Sequence, residues 1–105
     1  MQAFQLHELE NLATEEKRPY FEFLRVPALS MGLYRMIAGQ PDPQSPHKQD
    51  EVYYVLSGRA KLDVNGQIAD AVPGSLLYVE ANAPHKFVAI EEDLEVLVFF
   101  APAES

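Results

Sequence analysis

The stretch Gly39-Gln40-Pro41-Asp42-Pro43-Gln44-Ser45-Pro46-His47-Lys48-Gln49-Asp50-Glu51 runs on through VYYVLS to Gly58, and a second stretch, Gly74-SLLYVEANAP-His85, follows it. Each begins at a glycine, crosses a Pro-containing bend and carries an imidazole next to a β-branched or aromatic run. Alternate residues of a strand face the same side, so Ser45 and His47 share a face if the chain is extended there, and Glu51, Tyr53 and Val55 form another row. A bend in Lys48-Gln49-Asp50 brings the two rows together. His85 then arrives from a separate strand, and two imidazoles with one carboxylate form a donor set suited to a divalent first-row metal. In an octahedral sphere such a set leaves roughly three positions for water, a small ligand or dioxygen.

Outward from these stretches, the pattern changes once, near Arg18-Pro19. Before it, Leu6, Leu9, Leu12 and Ala13 recur at helical steps among polar residues, which predicts a short amphipathic helix over about residues 6–17. Beyond it the segments are short, rich in Val, Leu, Ile, Phe and Tyr, and separated by Gly, Pro and Asn. Strands are expected at 20–26, 30–38, 51–56, 60–64, 76–79, 85–90 and 94–100. Asn65-Gly66 is the strongest hairpin signal among them. Glu91-Glu92-Asp93 reads as a solvated turn between the last two strands. Short strands with no helical pattern between them indicate an all-β sandwich or rolled barrel rather than a parallel α/β sheet. The expected division is a helical lead segment over 1–18 and one barrel domain over 19–105.

Composition narrows the function. A chain of 105 residues holds one self-sufficient core, and with 48% apolar residues and no Cys or Trp it reads as an ordinary globular domain without thiol redox or zinc–cysteine chemistry. Sixteen acidic against eight basic residues give a net charge of −8, which repels phosphate backbones and anionic lipid, so neither nucleic acid nor membrane is an expected partner. The N-terminus lacks a basic segment followed by a long apolar run, and the expectation is a soluble, cytoplasmic protein.

At this point the residues resemble the cupin family. Its first motif, G-x5-H-x-H-x3-E-x6-G, is matched by Gly39, His47, Glu51 and Gly58, and departs at Ser45. Its second, G-x5-P-x-G-x2-H-x3-N, is met at Gly74 and His85, with Glu80, Asn82 and Ala89 in place of Pro, Gly and Asn. Asn82 is a mild departure, because Asn tolerates the left-handed conformation that favours Gly. The resemblance covers about residues 30–100 and implies a cupin-type jelly-roll β-barrel, frequently dimeric, with a metal near the barrel axis. Carried over by position, His47, Glu51 and His85 stand on three of the family's four metal-ligand positions and Ser45 on the fourth. A serine hydroxyl is a poor ligand beside imidazole and carboxylate, so either water takes that place or nearby Gln44 or Gln49 helps.

Each residue also has an ordinary reading. His47 alone is a loop histidine after a Pro-rich turn, His85 alone caps a turn after Ala83-Pro84, and His7 is a solvated helix residue. Glu51, separated from Gly58 by the six residues of the motif count, is preferred over Asp50 as the ligand. A turn with positive φ explains Gly58 and Gly74. Tyr53 shares the parity of Glu51, Phe87 shares that of His85, and Tyr34 comes from another strand that could line the same interior. Core packing is the default for each of these aromatics. Arg35 lies within an apolar strand. Facing the barrel it would pair with a substrate carboxylate, and facing out, the slightly favoured reading, it is a solvated edge residue.

The near-continuous apolar strand 94–100 implies burial on both faces, and an outer apolar face on a small barrel suggests a homodimer. Two functions remain open. One is a metal-dependent enzyme holding Fe, Mn, Ni or Zn through His47, Glu51 and His85 and acting on a small organic molecule, dioxygenase-like first and isomerase or decarboxylase next. The other is a non-catalytic module that binds a small ligand.

Overall fold

The computed structural model describes residues 1–105, and its architecture follows from two long strands that bend. Elements run in the order α1 (Leu6–Glu16), β1 (Tyr20–Val26), β2 (Leu29–Met36), β3 (Asp50–Val64), β4 (Gln67–Ala71), β5 (Leu76–Val79) and β6 (His85–Ala101). All pairings are antiparallel, in the order β1-β2-β6-β3-β4, with β5 also on β3. The sheet rolls up as an all-β jelly roll with one short N-terminal helix, as expected. No helix is long and apolar enough to cross a membrane.

β3 and β6 each replace two expected strands. They pair from Asp50↔Ala101 to Val64↔His85, with the register slipping between Val55 and Lys61. Gly58, at φ 96°, lies at that slip against the backbone of Asp93 and Leu94. The expected solvated turn at Glu91-Glu92-Asp93 is therefore corrected: these residues are exposed, yet they continue β6 through a bulged stretch. A bulge lets a strand bend without ending, so a polar run that reads as a break in sequence is only a change of direction. The edge strand β4 has no counterpart among the expected strands. Four of its five residues are exposed, so it shows little apolar alternation. Asn65 and Gly66, at φ 51° and 87°, make the tight β3–β4 hairpin, as positive φ at both central residues requires.

Alternation places the core. On β2, Ser30, Gly32, Tyr34 and Met36 are buried toward the interior. Of these, Tyr34 and Met36 meet Tyr53 and Val55 of β3 and Val96, Val98 and Phe100 of β6 in one apolar cluster. On the outer side, Leu9 and Ala13 of α1 cover Leu33, with Phe21, Phe23, Leu56 and Leu97 around them. The helix of the same chain thus covers part of the outer apolar face of β6 that sequence reasoning assigned to a second subunit.

Ala89 has φ 48° within β6 and is exposed. A left-handed Ala costs roughly 1–2 kcal/mol, much of which Asn recovers. Ala89→Asn is expected to raise stability by about 1 kcal/mol, read as a higher urea midpoint with unchanged m-value; a lower midpoint would contradict the strain argument.

Candidate metal centre

His47, Glu51 and His85 come together although they belong to three segments of chain. Glu51 lies in the middle of the sheet, between Val79 of β5 and Phe100 of β6, and strand parity turns it inward beside Tyr53. His85 opens β6, and its Nδ1 lies 2.8 Å from the Ala83 carbonyl. His47 lies in the irregular segment before β3, with its ring 4.9 Å from that of Phe100 and its Nδ1 2.8 Å from Glu104 Oε2. One ligand atom from each of the three lies within 4.8 Å of the others.

The outer bonds determine what the inner atoms can do. A neutral imidazole that donates from Nδ1 presents the Nε2 lone pair, which is how outer partners orient a metal-binding histidine. His85 donates in this way to Ala83, and His47 to Glu104. Inside, His85 Nε2 is 3.0 Å from Glu51 Oε1, and both side chains are 1% exposed. The pair lacks hydrogen-bond alignment, and His85 Nε2 and both Glu51 oxygens are buried without a hydrogen-bond partner. Burial works to lower the His85 pKa, but the adjacent Glu51 carboxylate and the Ala83 carbonyl outweigh it and leave it raised. With the ring neutral and Nδ1 bonded to Ala83, Nε2 joins the two Glu51 oxygens as converging acceptors without partners, a set that suits a cation, and the residues present fit a divalent metal.

A cavity of about 150 Å³ opens beside His47 and Glu51, walled further by Tyr20, Tyr34, Tyr53, Phe100 and Glu104, while His85 is not among its lining residues. Neither Lys nor Arg lines it. Burial raises the pKa of the Tyr20, Tyr34 and Tyr53 hydroxyls, which stay protonated donors at neutral pH. Tyr34 donates to Asp42 at 2.6 Å and Tyr53 to Gln44 at 2.9 Å. Burial also raises the pKa of Glu104, against the influence of His47.

Several expected positions fall elsewhere. Ser45 is exposed, because the segment before β3 is irregular and does not follow strand alternation; Gln44 turns inward instead. Gln49 is buried away from the cavity, donating to the Ser105 hydroxyl at 3.0 Å. Phe87 packs under Tyr53 at 4.8 Å between ring centroids, in the core rather than on the cavity wall. Arg35 faces out, as favoured, but it is not a free edge residue. It lies beneath α1, bonded to Glu95 at 2.7 Å and to Thr14 and the Glu10 carbonyl, so it is not available to a substrate carboxylate in the barrel.

Sequence reasoning missed Asp42, Tyr20 and Glu104. Glu104 lies on the C-terminal segment, which folds back over the β1–β2 end. Its amide donates to Ser30 Oγ at 2.9 Å, and its carbonyl accepts from Arg25 at 2.6 Å.

The sequence profile of the family described as a cupin domain matches residues 32–100. The chain belongs to the cupin family. This cupin is 49% identical over 105 residues to the uncharacterized protein SCO3923 of Streptomyces coelicolor, with 100% of both chains covered. Among solved structures it resembles TT1209 from Thermus thermophilus, with a TM-score of 0.74 and 23% identity over 98% of this chain and 99% of that one. It also resembles the DMSP lyase DddQ from Ruegeria pomeroyi DSS-3, with a TM-score of 0.68 and 23% identity over 72% of this cupin. There the match spans only 39% of the lyase. At these identities the two structures share the fold of this cupin.

Proposed function

We propose that this cupin holds one divalent first-row metal ion through His47, Glu51 and His85 and acts on a small organic molecule admitted to the adjoining cavity. The observation that carries the reading is the set of buried acceptors without partners, Glu51 Oε1, Glu51 Oε2 and His85 Nε2. Leaving such groups unsatisfied costs roughly 1–3 kcal/mol each. A bound ion removes that cost.

When bound, the ion supplies Lewis-acid polarisation and open positions for an oxygen donor. The chain's own groups do the rest. Glu104 holds the His47 Nδ1 proton and so keeps Nε2 directed inward. Tyr34 and Phe100 form apolar walls that exclude water from one side of the ligand. Oxygenation is the first reaction to screen, then isomerisation and decarboxylation, since this fold hosts many chemistries.

A second reading, a non-catalytic small-ligand module, draws support from Tyr34 and Tyr53, whose hydroxyls are already committed to Asp42 and Gln44. Elemental analysis of untagged protein prepared without chelator separates the premises. Near-stoichiometric Fe, Mn, Ni or Zn is expected. Re-addition of the metal to stripped protein at 100 times Kd is expected to stabilise it by about 2.7 kcal/mol, which for a chain of this size means a melting temperature higher by on the order of 10–20 °C. No metal, even after reconstitution, would retire the enzyme reading and leave the binding module.

A further inference from the structure

We propose that the side-chain amide oxygen of Gln44 is the fourth protein ligand of this metal, turned toward the ion by Asp42. The inference rests on the metal reading above and adds a ligand that position counting assigns to Ser45. Four observations support it.

The first is placement. Ser45 is exposed, while Gln44 reaches the cavity between His47 and Tyr53.

The second is orientation, for an amide can present either its oxygen or its nitrogen. Gln44 Nε2 donates to Asp42 Oδ2 at 2.6 Å. Asp42 is itself buried and pinned, accepting from the Tyr34 hydroxyl at 2.6 Å, the Phe87 amide at 2.9 Å and the Gln44 amide at 3.3 Å. A flipped amide would set its oxygen against that carboxylate and lose the bond. Oε1 therefore faces His47.

The third is spacing. Two ligands each about 2.1 Å from a common ion lie about 3.0 Å apart at a right angle and about 3.4 Å apart at a tetrahedral angle. Gln44 Oε1 is 3.3 Å from His47 Nε2, and His85 Nε2 is 3.0 Å from Glu51 Oε1.

The fourth is lone-pair accounting. In the tautomer that donates from Nδ1 to Glu104, His47 Nε2 presents a lone pair toward the Gln44 oxygen, and a cation between the two replaces the Nε2–H hydrogen bond that the doubly protonated ring makes to Gln44 Oε1. Gln44 Oε1 takes one hydrogen bond, from Tyr53 at 2.9 Å, and its second lone pair remains for the ion. The donor set becomes two imidazole nitrogens and two oxygens.

The test uses the full chain stripped of metal, titrated with Zn(II) against a chromophoric chelator and with Co(II) by its visible absorption. Wild type, Gln44→Ala, the volume-keeping Gln44→Met and Glu51→Ala are compared, with a thermal melt of each metal-free protein as a folding check. Loss of the amide oxygen is expected to weaken Zn(II) by tenfold or more in either Gln44 variant and to shift the Co(II) bands, as a changed coordination sphere must. Wild-type binding lost in Glu51→Ala but kept within twofold in both Gln44 variants overturns the role of Gln44 and leaves the three-residue site. Weaker Zn(II) with unchanged Co(II) bands overturns it too, since Gln44 would then only shape the pocket. Wild type that binds neither ion overturns the metal reading itself, and with it this proposal.

Discussion

Glu51→Gln is expected to make the metal-free protein more stable while abolishing its response to divalent metal. In the wild type the Glu51 side chain is buried and neither carboxylate oxygen has a hydrogen-bond partner. Burying a charge without such partners is costly, and a neutral side chain of the same shape removes most of that cost. The new amide also offers a donor to His85 Nε2, 3.0 Å away in the parent pair. A gain of about 1–3 kcal/mol follows, or roughly 5–20 °C in melting temperature. Metal affinity moves the other way. Outer partners of metal ligands are worth about 10–100-fold in affinity, so loss of an anionic ligand should cost at least the upper end. Thermal melts of stripped protein with and without added Zn(II), at pH 8, read both effects. A less stable metal-free variant would make Glu51 a structural residue, and an unchanged metal response would move the ion elsewhere.

Gly58→Ala is expected to be the most damaging small substitution in the barrel. A Cβ at this position would collide with the carbonyl oxygen of Asp93 and approach Leu94 Cα at 2.7 Å and Asp93 C at 2.8 Å. These are backbone atoms of the facing strand, so no rotamer change relieves them. At φ 96° the residue adds a conformational penalty. Overpacking of about 1–3 kcal/mol and a left-handed penalty of about 1–2 kcal/mol sum to roughly 2–5 kcal/mol. Gly74→Ala is the control. Its φ is 92°, but a Cβ there meets nothing within 4 Å, so only the conformational part applies. Urea unfolding of both variants separates the causes, and equal losses would show that the approach of β3 to β6 at the bend is not tight.

The departures from family pattern around the bends have a common physical form. Asn82, with φ 67°, and Ala89, with φ 48°, both occupy the left-handed region at positions where the resemblance places Gly and Asn. The pattern at these sites records backbone conformation, not metal chemistry. Asn82 meets the requirement with its short polar side chain, and Ala89 meets it at a cost.

Sequence by itself determined whatever depends on short-range periodicity. The helix appears at Leu6–Glu16 because Leu9 and Ala13 share a face one turn apart, and Asn65-Gly66 makes a hairpin because few other pairs accept positive φ twice. The inward row Glu51, Tyr53, Val55 follows from strand alternation, and it carried the carboxylate to the site beside His47 and His85.

Tertiary structure alone decided what alternation does not reach. The irregular segment before β3 has no period, so which of Gln44 and Ser45 turns inward depends on the buried carboxylate of Asp42. Bulges let β3 and β6 pass through Gly58 and Glu91-Glu92-Asp93, which read as ends of strands when each is taken alone. Arg35 and Glu95 meet because their strands pair directly, and α1 encloses them from outside. Glu104 reaches His47 only after the sheet has rolled and the C-terminal segment has folded back onto Ser30 and Arg25. Contacts between residues this distant along the chain leave no local trace in the sequence, because closure of the whole barrel, not the preference of any segment, brings them together.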